Sequence, residues 1–484
     1  MACTTILVGK NASYDGSTMI ARNDDSGSGS YTAKKFQVVH PEQQPRVYKT
    51  VLSHLEMQLP DNPMRYTCMP NAVVEKEGIW AACGVNEVNV GMTATETITT
   101  NARVLGADPL VRPSKDTAGG IGEEDIVLVT LPYIHSAREG VERLGSLLEQ
   151  YGTYESNGIA FSDVNEIWFL ETIGGHHWMA KRVPDDQYVM MPNQLGIDSF
   201  DFEDAMGNKE NHMCSSDLEE FVKKNHLDLS LNGDAFSPRA AFGSHDDSDH
   251  VYNTPRAWYM GRYFNPTLFK EKQYTPVQDD LPWSLVPEKK ITVEDIKYIL
   301  SSHYQGTEYD PYGSYGDERY RGMYRSIGIN RNDFLGLIQI RPYMPEAFRT
   351  LQWIAEGSNA FNAMAPFYTN VHTVPAYLGN TTAKVSTDNF YWSNRLIGAL
   401  ANASYGKSIM HIERYQLSVA SKANAIVHEF DEQLLNAWEN EDTLCEKANE
   451  AVSEMLQKET DEVLNKVLYE ASNVMKNAYS RSDN

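Results

Sequence analysis

The sequence predicts an α+β fold of mainly antiparallel sheets, layered α/β/β/α, with a helical extension at its C-terminal end. Three observations predict it. Short apolar segments recur around Asp-Gly, Gly-Gly and Asp-Asp turns, which is the pattern of hairpins and meanders. Helical segments are interleaved with these strands. From about residue 388 Gly and Pro nearly vanish, and the pattern stays helical to the end.

Taken in order, the first 25 residues read as a hairpin. An apolar run through Ile6, Leu7 and Val8 meets a turn at Asp15 and Gly16, and Met19, Ile20 and Ala21 form the return. This delivers Cys3 at the start of one strand and Arg22 and Asp25 at the end of the next. Residues 36–39 and 46–52 are expected strands between Pro-rich turns. Residues 78–82 and 88–94 are an expected pair, joined through Gly84, Val85, Asn86 and Glu87. Glu123, Glu124 and Asp125 suit the first turn of a helix that runs to Pro132. A second helix starts after Ser136, aligns Val141, Leu144 and Leu148, and stops at Gly152.

Residues 158–191 carry the clearest β signal, four short strands in an antiparallel meander. Helices follow at about 215–225, capped by Ser215 or Ser216, and at about 293–304, capped by Thr292. Strands return at 335–340 and 350–354. Val452, Leu456, Val463 and Val467 mark an amphipathic helix in the extension. No repeat or low-complexity linker appears. The expected units are residues 3–387 and a helical extension, 388–484, packing on the first unit or at a subunit interface; a homo-oligomer is expected.

Composition narrows the function. The 484 residues are 41% hydrophobic and 22% charged, ordinary for a soluble globular chain. A formal net charge of −24 makes nucleic acid and anionic membrane surfaces poor partners. No run approaches the roughly 18 apolar residues of a membrane span, and no basic segment precedes an apolar stretch, so the expected location is cytoplasmic. Five cysteines (Cys3, Cys68, Cys83, Cys214, Cys445), odd in number and without a CxxC pair, indicate neither a disulfide framework nor a zinc knuckle.

Cys3 has the unusual address. A cysteine near a terminus is most often an ordinary thiol, but chemistry offers this one a role. A free thiol has a pKa of about 8.5, lowered by adjacent positive charge. If Met1 and Ala2 were removed, the α-amine of Cys3 would titrate at about 7.7–8.0. It could then take the thiol proton and later return it to a leaving amine. Arg22 would hold negative charge near the sulfur, and Asp25 would orient the ammonium.

Cys3 opening a strand, followed after a hairpin by Arg22, Asn23 and Asp25, resembles the cysteine branch of the N-terminal nucleophile (Ntn) hydrolases, which includes choloylglycine hydrolases and penicillin V acylases. Within it, several stretches resemble the C69 dipeptidases: Gly84-Val85-Asn86-Glu87, Asp163 to Pro192 with its Ala180-Lys181-Arg182-Val183-Pro184-Asp185-Asp186, Tyr252-Asn253-Thr254-Pro255-Arg256-Ala257-Trp258, and Ala365-Pro366-Phe367-Tyr368. The resemblance covers about residues 3–410. It implies an Ntn-hydrolase four-layer αββα sandwich and a cysteine peptidase that hydrolyses dipeptides through an acyl-enzyme on Cys3, with no metal or organic cofactor. It implies a leader, residues 1–2, that is removed, self-cleavage being the preferred route.

Residue by residue, the resemblance makes Cys3 the nucleophile and puts Arg22 and Asp25 beside it. Asn193 falls where the family has an amide near the reacting carbonyl; a turn asparagine is the plainer alternative. Arg256 matches the remaining family arginine, or is a surface arginine packed on Trp258. Where bile-salt-type relatives carry a second asparagine, this chain has Ala94, Thr95 and Glu96, so the second oxyanion donor would be backbone or Thr95. Asp24 and Arg256 are the guesses for a clamp on the charged ends of a dipeptide.

Other clusters carry less. His245 to His250 is an acidic run without a third His or Cys, more simply an exposed loop than a metal site. His176 and His177 sit in a Gly-Gly turn. Gly27 to Ser30 lacks the Lys-Ser/Thr of a phosphate loop and reads as a mobile loop beside the site. Residues 309–325, rich in Tyr, Gly and Arg, are either a substrate-covering loop or an irregular connection. Two competing functions stay open: an N-acyl amide hydrolase of the penicillin V acylase or bile salt hydrolase type, and a non-enzymatic interaction protein like the secernins.

Overall fold

The computed structural model describes residues 3–231, 234–437 and 440–477, so the leader expected at Met1 and Ala2 lies outside the described residues. Two antiparallel sheets stack face to face. The first has seven strands in the spatial order Ser284–Leu285, Tyr188–Met191, Thr4–Val8, Thr18–Asp25, Asn332–Ile340, Thr350–Glu356 and Ala365–Tyr368. The second has eight, His212–Cys214, His177–Arg182, Ile167–Ile173, Asn157–Ser162, Gly91–Thr97, Cys83–Asn86, Tyr66–Cys68 and Gln37–Val39.

The opening hairpin lies in the middle of the first sheet, and both of its strands are buried throughout. Alternation sorts its side chains. Leu7 and Ile20 point inward, joining Ala160 and Phe169 of the second sheet in the core between the sheets. Ile6, Val8, Met19 and Ala21 point outward onto Ala257, Met260, Ile296 and Ile299, which come from the helices Thr254–Phe264 and Val293–Leu300. On the far side, Ile159, Phe161, Trp168 and Leu170 pack against Ile126, Leu144 and Leu148 of the helices Glu123–Thr130 and Ala137–Tyr151. Three apolar cores separate four layers, α/β/β/α, as the sequence predicts. Each fully buried aliphatic side chain contributes roughly 1.5–3 kcal/mol. The close fit of the outer helix depends on Gly140 and Gly145, where a Cβ would stand 2.4 Å from the Phe161 ring and 2.3 Å from Trp178.

The C-terminal helices Phe390–Ala403, Tyr405–Leu435 and Glu441–Asn473 pack on one another and on the strands at the edge of the first sheet. Asn449 accepts from the Tyr368 backbone N–H at 2.8 Å and donates to its carbonyl at 3.0 Å, tying the last helix to the edge strand. The Arg341–Asp431 pair, 2.5 Å apart, ties the middle one. No helix among the described residues is long and apolar enough to cross a membrane.

The expected strand at 78–82 is not formed. Gly78, Trp80 and Ala82 have φ of 91°, 48° and 57°, left-handed conformations that break an extended run. The strand comes later, at Cys83–Asn86, so Gly84 to Asn86 is part of the sheet and not the connection. The helix expected to reach 304 ends at Leu300. The helix Thr254–Phe264, which carries Arg256, was not among the expected elements.

Candidate active site

Cys3 stands immediately before the first strand, where the pairing sets Thr4 opposite Asn23 and Thr5 opposite Arg22. Continued by one residue, this ladder sets Cys3 beside Asp24, so Cys3, Thr5, Arg22 and Asp24 share the inner face. Arg22 is the hub. Its Nη2 lies 2.6 Å from Cys3 Sγ and 3.2 Å from both Asp24 Oδ1 and Glu123 Oε1. Its Nη1 donates to the carbonyls of Ala82, at 3.1 Å, and Ala94. A planar guanidinium with five donors suits such a crowded set of acceptors, and a lysine does not. Burial pushes the Cys3 thiol up, and Arg22 pulls the other way.

Lys34 Nζ stands 2.7 Å from Asp24 Oδ2. Burial works against the ionised Asp24, but Lys34 and Arg22 outweigh it and hold the carboxyl below its ordinary value. Glu123 is the first residue of its helix, where the N-terminal end of the dipole favours an anion. Its backbone N–H donates to Glu155 Oε1 at 2.7 Å.

Glu96 reaches the same space through a β-bulge. In the strand Gly91–Thr97, Ala94 pairs with Ile159 and Glu96 with Gly158, so Thr95 is an extra residue. Without it, Glu96 would follow Met92 and Ala94 to the outer face; with it, Glu96 turns inward. Its Oε2 accepts from Thr5 Oγ1 at 2.8 Å, and burial pushes its carboxyl up to about 8. Sequence reasoning missed Glu96 because period-two alternation assigns it to the wrong face. It missed Glu123 because acidic residues at a helix start look like a solvated first turn.

Asp25 is on the opposite face. Its oxygens accept from Arg325 and from Asn332 Nδ2, on the face away from Sγ; the sequence reading expects it to orient the ammonium of a freed Cys3. Arg256 approaches from the outer helix and donates to the Cys3 carbonyl and to Thr4 Oγ1, the latter at 2.7 Å. Its other nitrogens donate to the Tyr252 carbonyl at 2.8 Å and to the side-chain oxygens of Asn193 and Asn253, each at 2.7 Å. Arg256 is fully buried, and its partners leave it no role as a clamp on a substrate carboxylate. It stacks over Tyr252; Trp258 carries Arg262 instead. Asn193 Nδ2 donates to the Thr97 carbonyl at 2.8 Å. The side chain of Thr95 lies outside the described residues.

A cleft of about 560 Å³ leads to Asn193, with Thr97, Thr99, Tyr252 and Asn253 on its walls. The acidic run contributes Asp246 and Asp249 to it. His245 to Ser248 are exposed, as expected of that loop, whereas Asp249 is buried and accepts from Asn253 Nδ2 at 2.5 Å. His176 and His177 both hold Asp108, at 2.9 and 2.7 Å. Gly27, Ser28, Gly29 and Ser30 are exposed. The tyrosine-rich segment ends on Arg325, the partner of Asp25, which anchors that end behind the sheet. One atom each from Cys3, Asp24 and Glu123 lie within 4.8 Å of one another, a spacing a metal could use. The Arg22 Nη2 beside all three already supplies a cation, and a guanidinium there disfavours a metal.

Residues 2–418 match the model of Peptidase family C69. The chain belongs to that family. A protein of Bifidobacterium longum (strain NCC 2705) named "Dipeptidase" is 54% identical, over 100% of both chains. A "Probable dipeptidase A" of Streptococcus pyogenes serotype M3 (strain SSI-1) is 55% identical, again over 100% of both. Among solved structures, the C2A mutant of conjugated bile acid hydrolase from Clostridium perfringens aligns at 12% identity over 78% of this chain and 99% of its own, with a TM-score of 0.31.

Proposed function

We propose that this C69 peptidase is a dipeptidase that forms an acyl-enzyme on Cys3. The observation that carries the reading is the 2.6 Å contact between Cys3 Sγ and Arg22 Nη2 inside a buried, charged pocket. The relatives named as dipeptidases supply the substrate class. While Cys3 is internal, its thiol is buried and no histidine is hydrogen-bonded to it among the described residues. Loss of Met1 and Ala2 supplies the missing base, the α-amine of Cys3 itself.

The neutral amine takes the thiol proton, and the thiolate forms beside Arg22. Sγ adds to the scissile carbonyl, whose oxygen becomes an oxyanion and accepts from Asn193 Nδ2. Collapse breaks the C–N bond. The Cys3 ammonium returns its proton to the leaving amine, and the released product is the second amino acid. Water, deprotonated by the same amine, then hydrolyses the thioester and releases the first. In this reading Arg256 and Asn253 are positioning residues, holding Asn193 and the Cys3 backbone.

Intact-mass measurement paired with a dipeptide hydrolysis assay tests the proposal. The expected result is a chain that begins at Cys3 and cleaves dipeptides. A protein that keeps Met1 and Ala2 in full and has no peptidase activity would overturn it.

A further inference from the structure

Three carboxyl groups surround the nucleophile on the inner face, and the acyl-transfer steps above use none of them. Asp24 and Glu123 each bring an oxygen within 4.8 Å of Cys3 Sγ and of each other. Glu96 arrives from the facing sheet, turned inward by the bulge at Thr95. It is 1% exposed, and its Oε1 has no hydrogen-bond partner among the described residues. Its other oxygen is held by Thr5, two residues from the nucleophile and on the same face. A buried carboxyl oxygen left without a donor is costly to the free protein. A ligand that brings a charged donor would relieve that cost.

The substrate chemistry says where such a donor must lie. In an unblocked dipeptide the α-ammonium and the scissile carbonyl carbon share one Cα, so they are roughly 2.5 Å apart. That carbon stands about 3–3.5 Å from Sγ at the moment of attack. The ammonium therefore falls within a few ångströms of Sγ, in the shell occupied by the Asp24 and Glu123 oxygens. Arg22 and Lys34 already face Asp24, and Arg22 faces Glu123, so the oxygen left for a further donor is Glu96 Oε1. The freed amine of Cys3 is a second nitrogen nearby, but it must be neutral to act as the base.

We propose that Asp24, Glu123 and Glu96 seat the α-ammonium of the substrate's first residue, so that the enzyme cleaves only next to a free N-terminus. The proposal rests on the acyl-enzyme reading above and adds the groups that select the substrate. Asp24 and Glu123 form one wall beside Arg22, and Glu96 closes the site from the other sheet.

The test compares kcat/KM for an unblocked dipeptide, its N-acetyl form and its desamino analogue, in which hydrogen replaces the ammonium. The wild type is expected to prefer the unblocked peptide by about a hundredfold or more, the scale on which losing one partner of a buried charge pair is felt. Glu96→Gln and Glu123→Gln are each expected to shrink that preference about tenfold or more. Glu96→Gln keeps the shape of the side chain, and intact mass showing loss of Met1 and Ala2 reports a folded site in either variant. Equal wild-type rates on all three substrates would overturn the proposal while leaving the peptidase intact. Variants that slow every substrate alike would also overturn it, because the carboxylates would then serve the Cys3 amine. A wild type that hydrolyses none of the three would instead remove the acyl-enzyme reading, and this proposal with it.

Discussion

Asp24 and Asp25 are neighbours at the end of one strand, both fully buried, and the fold gives them different work. Asp24 faces inward with Arg22, beside Sγ and Lys34. Asp25 faces outward, into Arg325 and Asn332. The same division runs along the whole hairpin. Its inner residues converge on the nucleophile, while its outer polar residues, Thr4, Asn23 and Asp25, bond to the backing layer. One residue of register therefore separates the side chains gathered around Sγ from those bonded to the backing layer. The comparison teaches that a motif read as a string, Arg-x-x-Asp, merges two faces that the sheet keeps apart.

The largest test of the inner face is Cys3→Ala. Loss of a nucleophile typically lowers kcat by roughly 10⁶, so dipeptide turnover should disappear while the folded content is unchanged. An active Cys3→Ala protein would point to another nucleophile. Next comes Arg22→Lys, which keeps the charge but gives up the fork that touches Sγ, two carboxylates and two carbonyls. A loss of about 10²–10³ in kcat is expected, the scale of removing one preorganised donor. Arg256→Lys should lose less, since in the proposed mechanism Arg256 touches Asn193 and not the substrate. Equal losses would erase the distinction between the two faces.

Much of this was legible in the sequence. The hairpin, the meander, the acidic helix and the C-terminal helices follow from turn residues and apolar spacing, and these signals are local. Cys3 and Arg22 were legible because pairing across a short hairpin is fixed by its turn. The sequence reading has Asp25 orient the Cys3 ammonium; that its side chain lies on the other face, against Arg325 and Asn332, is not visible in spacing along a string. Glu96 was hidden by the bulge, a one-residue insertion that no periodicity announces. Glu123 and Lys34 reach the site only through tertiary packing, and no local pattern encodes that.

The outer face has its own test. Asp25→Asn leaves Arg325 buried without its counter-charge, and breaking such a pair costs about 3–5 kcal/mol. Denaturant unfolding should show that loss, while the preference for unblocked over N-acetylated dipeptides stays as in the wild type. A variant of full stability with altered preference would move Asp25 back to the chemistry.

The smallest effect separates two carboxyls of the inner face by pH. Asp24 is held below its ordinary value, so its contribution is present above the unfolded pKa and is lost as pH falls. Glu96 has the opposite sign. Burial pushes it from 4.5 up to about 8, so between these values the folded protein keeps a proton that the unfolded chain releases. The unfolded state then binds fewer protons, and stability falls as pH rises through that window. Glu171 and Asp333, each raised by burial to about 7, push in the same direction. Melting temperature in the absence of substrate should therefore decline between about pH 5 and pH 8. In Glu96→Gln the decline should be shallower, by at most about 1.4 kcal/mol per pH unit, because one titrating group is gone while other raised carboxyls, Glu124 and Glu155 among them, remain. An unchanged slope would mean that Glu96 is already ionised in the free protein.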